Sequence, residues 1–371
     1  MYESRIAADH LTVAATAGFP PAIDALADCN LSGHGFLRAA WYRAGAATGG
    51  RTLLLRRGDA EADSTVIAAI PTVPFGPALA RARKVPGAYW PFRSPLIAPA
   101  CNAFDLAHAL EHPAARTLGP VLRVGPARTR DPGVQVLIDA AQMAGWAVLA
   151  RAVGTSWVID LDAARAAGYP RTSVAKKLRA GWRKLEALGT PHWRHVRGNQ
   201  WSESVLDDLA RIEGESWIAR STDGSGAKFI NRETRAFWQG VLADPELAER
   251  LSATILMLDD RPIAFSFDLD DGPVQYSIAG SYAEDLARLN IGKIVNFRAM
   301  DDAIADGQRV LDMGLGDSGY KREMGAAAGY DMADLLFVRS RTAARLLAPV
   351  WGAELTPARL FSMPSSKPAR G

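Results

Sequence analysis

Thr254-Ile-Leu-Met-Leu258, Ile263-Ala-Phe-Ser-Phe-Asp-Leu269, Val274-Gln-Tyr-Ser-Ile-Ala-Gly-Ser281 and Val310-Leu-Asp-Met-Gly-Leu-Gly-Asp-Ser-Gly-Tyr-Lys321 follow one another within the stretch Ser252–Lys321. The first three are short runs rich in β-formers and bounded by turn residues, so they read as strands. Asp259-Asp260-Arg261-Pro262 joins the first two, and Asp271-Gly272 is a two-residue hairpin signal between the second and third. Ile291, Ile294, Val295, Met300 and Ile304 then recur at helical spacing, predicting an amphipathic helix that stops at Gly307. Arg309–Met313 is the next strand. A helix set between two neighbouring strands, followed by a Gly-rich turn that delivers Asp317, Tyr320 and Lys321 together, is the organising pattern of the chain.

Length and composition bound what surrounds it. With 371 residues the chain exceeds one ordinary core, so two domains are expected. Its 48% apolar and 22% charged content is that of a globular protein. Cys29 and Cys101 are the only cysteines, too few for a disulfide framework, which points to a reducing compartment. The first residues lead into a polar stretch without an apolar h-region, and no run of about 18 apolar residues occurs. We therefore expect no signal peptide, no membrane span and a cytoplasmic location.

Net charge is only +3, but it is unevenly placed. Arg171, Lys176, Lys177, Arg179, Arg183 and Lys184 occur without an acidic residue between them; the remaining 37 basic and 40 acidic residues leave the rest of the chain net negative. Val174, Leu178, Trp182, Leu185 and Leu188 fall at helical spacing in the same stretch, so the cations decorate an amphipathic helix running from Thr172 or Ser173 to Gly189. Such a run is either a solvated face or a contact for an anion: CoA phosphate, an acidic substrate or, last in order, RNA, since no long basic tail occurs and Trp182 falls on the apolar stripe.

In the first half, Phe36–Trp41 reads as a helix, and Thr52–Arg56 and Thr65–Ile70 as strands around Gly58-Asp59. A long Pro- and Gly-rich connection spans Pro71–Pro99. Leu118–Val124 reads as a strand, and Pro132–Ala144 as a helix capped by Asp131. Trp146–Val153 and Ser156–Leu161 read as two separate strands. In the second half come the basic helix, a strand at Pro191–Arg197, and helices at Ser204–Arg220 and Arg232–Leu242. Both halves share a coarse plan of antiparallel strands, helix and closing strand. The tail from Met363 is expected to be disordered.

Three motifs are set aside on context. His108-Ala-Leu-Glu-His112 has two histidines and a glutamate on a helix, but Pro113 ends that helix beside the second histidine. His192 and His195 are three apart on a strand, where shared-face ligands need even spacing. No metal is expected. Gly314-Leu-Gly-Asp-Ser-Gly319 satisfies G-x-G-x-x-G, yet it follows an antiparallel meander rather than opening a doubly wound domain. Its glycines instead permit a sharp turn. Arg288-Leu-Asn-Ile-Gly-Lys293 places Asn290 at a helix start beside Gly292, with basic residues on both sides. Free amides and the helix dipole make that start an anion seat, or else an ordinary helix N-terminus.

Gly168-Tyr-Pro-Arg-Thr-Ser through Gly189, Glu215-Ser-Trp217, Arg261-Pro-Ile-Ala264, Arg288–Gly292 and Leu311–Lys321 occur in one order. This series resembles the CelD-like (cellulose-biosynthesis-type) acetyltransferase branch of the GNAT superfamily, related to the FemABX peptidyltransferases. The resemblance covers about Gly168 to Gly325. It implies an α/β (α+β) chain of tandem GNAT-like folds, with mixed, mostly antiparallel sheets flanked by helices: residues 1–160 and 161–350, then a tail at 351–371. It also implies acetyl-CoA or another acyl-CoA as co-substrate, with no permanently bound cofactor. The donor pyrophosphate would rest at Arg288, Asn290, Gly292 and Lys293. Here the chain departs from the family signature Q/R-x-x-G-x-G/A: the glycine is one position late, and Lys293 stands where a small residue is usual.

By the same resemblance, Asp317 would orient or deprotonate the acceptor, Tyr320 would protonate the leaving thiolate, and Lys321 would hold donor phosphate. Trp217 and Tyr276 are expected against the substrate, with Tyr89–Arg93 and Thr222–Ala227 shaping the acceptor side. The implied function is transfer of an acyl group, in the first instance acetyl, from a CoA thioester to an amine or hydroxyl of a small molecule or glycan precursor. Two alternatives stay open: FemABX-like aminoacyl transfer from tRNA, and a catalytically silent GNAT-like scaffold that binds a glycan precursor or partner protein.

Overall fold

The computed structural model describes residues 10–29, 33–46, 48–58, 64–87, 92–217, 219 and 226–355. Most of the Tyr89–Arg93 and Thr222–Ala227 stretches, and the tail from Met363, lie outside them. The strands are β1 (Leu11–Ala17), β2 (Arg51–Arg57), β3 (Thr65–Pro74), β4 (Arg83–Lys84), β5 (Leu96–Ile97), β6 (Val121–Arg128), β7 (Ala147–Asp160), β8 (Pro191–Arg197), β9 (Leu251–Leu258), β10 (Arg261–Asp271), β11 (Val274–Tyr282), β12 (Val310–Leu315), β13 (Ala327–Val338) and β14 (Ala353–Glu354). The helices are α1 (Ala22–Asp28), α2 (Ala39–Ala44), α3 (Ala103–Glu111), α4 (Pro132–Met143), α5 (Leu161–Ala166), α6 (Thr172–Glu186), α7 (Glu203–Gly214), α8 (Arg232–Leu242), α9 (Pro245–Arg250), α10 (Ile291–Ala305), α11 (Tyr320–Glu323) and α12 (Arg341–Trp351). No described helix is long and apolar enough to cross a membrane.

A single hydrogen-bonded path runs β1-β2-β3-β4-β6-β13-β7-β12-β11-β10-β9-β8. Its pairs are antiparallel except β4–β6 and β11–β12. Parallel neighbours need a crossover, and each of these has one: α3 lies between β4 and β6, and α10 between β11 and β12. The shared plan of the two halves is thus visible in the pairing.

The seam between the halves differs from the sequence reading. Residues 147–160 form one continuous 14-residue strand rather than two. Gly154 is not a break; at φ 149° it takes an irregular step inside the strand, where the register with β13 shifts. One edge of β7 carries β13, while the other is divided between β14 and β12. β13 thereby places the end of the second half between β6 and β7 of the first.

Hydrophobic packing follows the same continuity. Trp41 of α2 meets Phe237 and Trp238 of α8 edge-on, with ring centroids 5.3 and 5.9 Å apart. Trp238 in turn meets Phe267 of β10 at 4.9 Å. Edge-to-face pairs of this kind add about 0.5–1.5 kcal/mol each beyond their buried area.

α10 is not the one-sided amphipathic helix expected. Ile291, Ile294, Val295, Phe297, Ala299, Met300 and Ala303 are all buried, because the sheet covers one side and α6 the other. α6 uses Leu178, Trp182 and Leu185 for that contact, whereas Leu188, beyond its end, is 59% exposed. The close approach depends on Gly181: a Cβ there would lie 2.5 Å from the Leu289 carbonyl oxygen.

Helix propensity alone predicts that Gly181→Ala stabilises the chain by about 1 kcal/mol. The backbone contact predicts the reverse, a loss of about 1–3 kcal/mol, visible as a lower urea midpoint. A raised midpoint would show that α6 and α10 do not pack through this position.

Candidate active site

β11 and β12 are paired over only three rungs, Val274–Val310, Gln275–Leu311 and Tyr276–Asp312. Beyond the last rung β11 continues to Tyr282 and β12 to Leu315 without pairing to each other. A cleft of about 470 Å³ opens there, walled by both strands, by the start of α10 and by the turn before α11. Its lining mixes neutral polar side chains, among them Ser266, Ser277, Ser281 and Asn296, with apolar ones such as Val295, Leu311 and Met313, and Trp217, Tyr282 and Tyr320 are aromatic walls.

Asp268 is a buried carboxyl in this lining, and sequence reading alone did not single it out. A β-bulge at Phe267/Asp268 breaks the alternation of β10 and sets Asp268 opposite Ser277. The Ser266 hydroxyl donates to Oδ2 at 2.7 Å, while Oδ1 has no hydrogen-bond partner. Burial pushes the carboxyl up to about 7, with the nearby Asp302 acting in the same direction and Ser266 and Ser277 opposing. The sequence signal was one aspartate within the acidic run Asp268, Asp270, Asp271, and the other two have partners elsewhere. Asp270 pairs with Arg197 and Asp271 with Arg250.

The turn after β12 is held by its own polar groups. Lys321 is only 4% exposed, and its ammonium donates to the carbonyls of Gly314, Leu315 and Gly316, each at 2.9 Å. Three donors on three acceptors leave none for a phosphate. Lys321 therefore holds the turn, in place of the phosphate contact implied by resemblance. Burial lowers its pKa, against the pull of Asp312 and Asp317. Asp317 accepts from the Gly319 amide at 3.1 Å and pairs with Arg322 at 3.1 Å, so it caps the turn outside the cleft lining. Gly314, Gly316 and Gly319 all adopt positive φ, which is the local use of the G-x-G-x-x-G pattern. Tyr320 is the residue of this trio that lines the cleft. Burial raises its phenol, keeping it protonated as a donor.

At the start of α10, Asn290 is left-handed (φ 60°) and its side chain makes no cap. The first-turn amides thus lack an intrahelical or side-chain cap acceptor. Asn290, Gly292 and Lys293 line the cleft. The space beside Gly292 is taken by the Tyr282 ring, which would lie 2.6 Å from an added Cβ. Lys293 is paired with Glu323. Arg288 is exposed and lies outside the lining. Trp217 lines the cleft and is 48% exposed. Tyr276 does not: it is fully buried in the large core, where Arg128 donates to its hydroxyl at 2.6 Å.

Beside the cleft, all six cations on or flanking α6, from Arg171 to Lys184, are exposed and carry no ion pair among the described residues. Trp182 stacks on Trp193 at 5.7 Å below them.

Residues 172–322 match the family model of the acetyltransferase (GNAT) domain. No curated protein matches the sequence. Among solved structures, FemX aligns over 88% of this chain and 97% of its own, with a TM-score of 0.56 and 10% identity. The C-terminal domain of a candidate lysylphosphatidylglycerol synthetase from Agrobacterium fabrum aligns over 84% of this chain and 89% of its own (TM-score 0.51, 15% identity). A conserved protein of unknown function from Bacteroides thetaiotaomicron aligns over 87% and 99% (TM-score 0.51, 10% identity). At these identities the structures speak to fold alone. The parted strands and the crossover helix between them lie within the stretch that matches the GNAT domain model, residues 172–322, and fit the fold of that domain.

Proposed function

We propose that the chain is an acyltransferase that moves an acyl group, in the first instance acetyl, from a CoA thioester to an amine or hydroxyl. The observation that carries this reading is Asp268: a buried carboxyl with one free oxygen, standing in the cleft where β11 and β12 part. The donor would lie between the two strands, its phosphates at the first-turn amides of α10 beside Asn290 and Lys293. Displacing the exposed Glu323 from Lys293 costs little, because such pairs are weak. The acceptor heteroatom attacks the thioester carbonyl carbon and gives its proton to Asp268. As the C–S bond breaks, the thiolate takes the Tyr320 phenol proton. A base with a pKa near 7 is well matched to this work. Trp217 contributes an aromatic wall for the acceptor, and Lys321 acts indirectly by holding the turn that presents Tyr320. Residues 1–160 and 161–350 are two GNAT-like halves in this reading, with 351–371 as a tail, and a cytoplasmic setting would supply the acyl-CoA.

A second donor is favoured by one specific feature. The exposed basic face of α6 beside the cleft suits a polyanion, so an aminoacyl-tRNA could deliver the acyl group instead of CoA. Filter binding separates the two: RNA contact through this face predicts a steep fall in affinity with salt, flattened by Lys176→Gln and Lys177→Gln together. Salt-independent or absent binding leaves CoA as the donor.

Incubation with radiolabelled acetyl-CoA and pools of amines and sugars should give labelled product with the wild-type chain. Asp268→Asn is expected to cut turnover by about 10²-fold or more while leaving CoA affinity within about twofold, since the amide keeps the shape but cannot take the proton. Wild-type rate should rise with pH through about 7 as Asp268 ionises. Full activity in the Asn variant would remove Asp268 from the chemistry.

The same residue predicts a stability profile. Between its unfolded value near 4 and its folded value of about 7, the folded state holds the proton that the unfolded state has lost, so stability falls as pH rises across that window and levels off above it. Asp268→Asn should therefore melt with wild type near pH 4 and progressively above it towards pH 8, by on the order of 4 kcal/mol at most. A gap that does not change with pH would contradict the raised carboxyl.

A further inference from the structure

Both residues of the rung at which β11 and β12 part, Tyr276 and Asp312, are hydrogen-bonded by side chains of the N-terminal half. Arg128, the last residue of β6, reaches across and donates to the Tyr276 hydroxyl at 2.6 Å. Its guanidinium lies 4.2 Å from the centre of the Tyr330 ring and 5.0 Å from that of Phe92. Tyr330, on β13, donates its hydroxyl to Oδ2 of Asp312. The other oxygen of Asp312 accepts from Ser156 of β7 at 2.5 Å and from the Gly314 amide at 2.8 Å. One half-buried cation thus ties β6, β11 and β13 to the carboxylate that begins the Gly-rich turn. Gly33 leaves room for it: a Cβ there would lie 3.0 Å from the Tyr276 hydroxyl and 3.5 Å from Arg128 Nη1.

We propose that Arg128 is a positioning residue for the transfer cleft, and that bracing the parting of β11 and β12 is the task of the N-terminal half. Asp312 is 1% exposed and has two cations near enough to act on it, Arg128 and Lys321. Without Arg128, Lys321 is the cation left to act on it, beside its hydrogen bonds from Ser156, Tyr330 and the Gly314 amide. The carboxylate then pulls harder on the Lys321 ammonium, away from the carbonyls of Gly314, Leu315 and Gly316. That loosens the turn that carries Tyr320. Arg128 itself does not line the cleft, so its influence passes through Asp312 and the turn. The link to catalysis rests on the proposed function; the bracing does not.

Hydrogen exchange of the whole chain tests the bracing without any ligand. Arg128→Met and, as a milder variant that keeps the ring, Tyr330→Phe should each speed exchange about tenfold or more in peptides covering 310–325 and 274–282. Peptides covering 51–57 and 251–258 should be unchanged. Arg151→Met, which removes a partner of Asp334 further along β7, should leave the turn unaltered. Arg128→Lys, which keeps a charge beside Asp312, should recover part of the protection. Unchanged exchange at 310–325 in both variants, a uniform rise across all strands, or no recovery with Lys would overturn the proposal. Coenzyme A titration then reads the consequence: affinity should drop at least fivefold in Arg128→Met. If the wild-type chain itself fails to bind coenzyme A, the acyl-CoA reading falls while the exchange result still decides the bracing.

Discussion

Two strands that stay parallel for three rungs and then separate are the constraint on which the rest depends. A sheet normally closes such a gap with backbone hydrogen bonds, because unpaired buried N–H and C=O groups are costly. Here β11 and β12 leave it open, and serine and asparagine side chains and an uncapped helix start stand in its walls among apolar residues. The crossover helix α10 fixes how far apart the strands stand, and α6 fixes α10 through the contact at Gly181. The opening therefore belongs to a supported frame.

Buried charge is distributed with different consequences on the two faces of this opening. Asp312 faces the N-terminal half with hydrogen bonds from Ser156, Tyr330 and the Gly314 amide. Asp268 faces the cleft with a bond to one oxygen and none to the other. The first arrangement fixes a carboxyl group in place with three hydrogen bonds; the second pushes a carboxyl up to about 7, where it can exchange a proton. Lys321 belongs to the first kind, since its three donors all close on backbone carbonyls. The residues that organise and the residue suited to react are therefore distinct, although all are charged and buried.

Much of the second half was legible in the sequence. The strands β9 to β12, the hairpin at Asp271-Gly272 and the helix before Val310 follow from runs, turn residues and spacing. The N-terminal part was harder: β1 and α1 have short, alanine-rich sequences with weak period. β13 reads poorly because Gly329, Asp331 and Asp334 interrupt an apolar run, and only the tertiary pairing of Asp334 with Arg123 and Arg151 makes such a strand tolerable. Around the cleft, the Gly-rich turn and the start of α10 were legible as local structure, but the partners of their polar groups were not. Whether Lys321 points to a ligand or to its own backbone is a question of geometry that spacing does not carry. Asp268 was hidden for the same reason: nothing local separates it from Asp270 and Asp271, and its environment comes from a bulge and from α10.

The proposed function requires that the opening between β11 and β12 receive a CoA thioester. Calorimetric titration of the whole chain with acetyl-CoA tests this most directly, with Lys293→Glu as the companion variant at the mouth of the cleft. The account predicts saturable one-site binding in the wild-type chain, weakened about tenfold or more by the reversed charge. Absence of binding at about millimolar acetyl-CoA, or binding that Lys293→Glu leaves untouched, would contradict it.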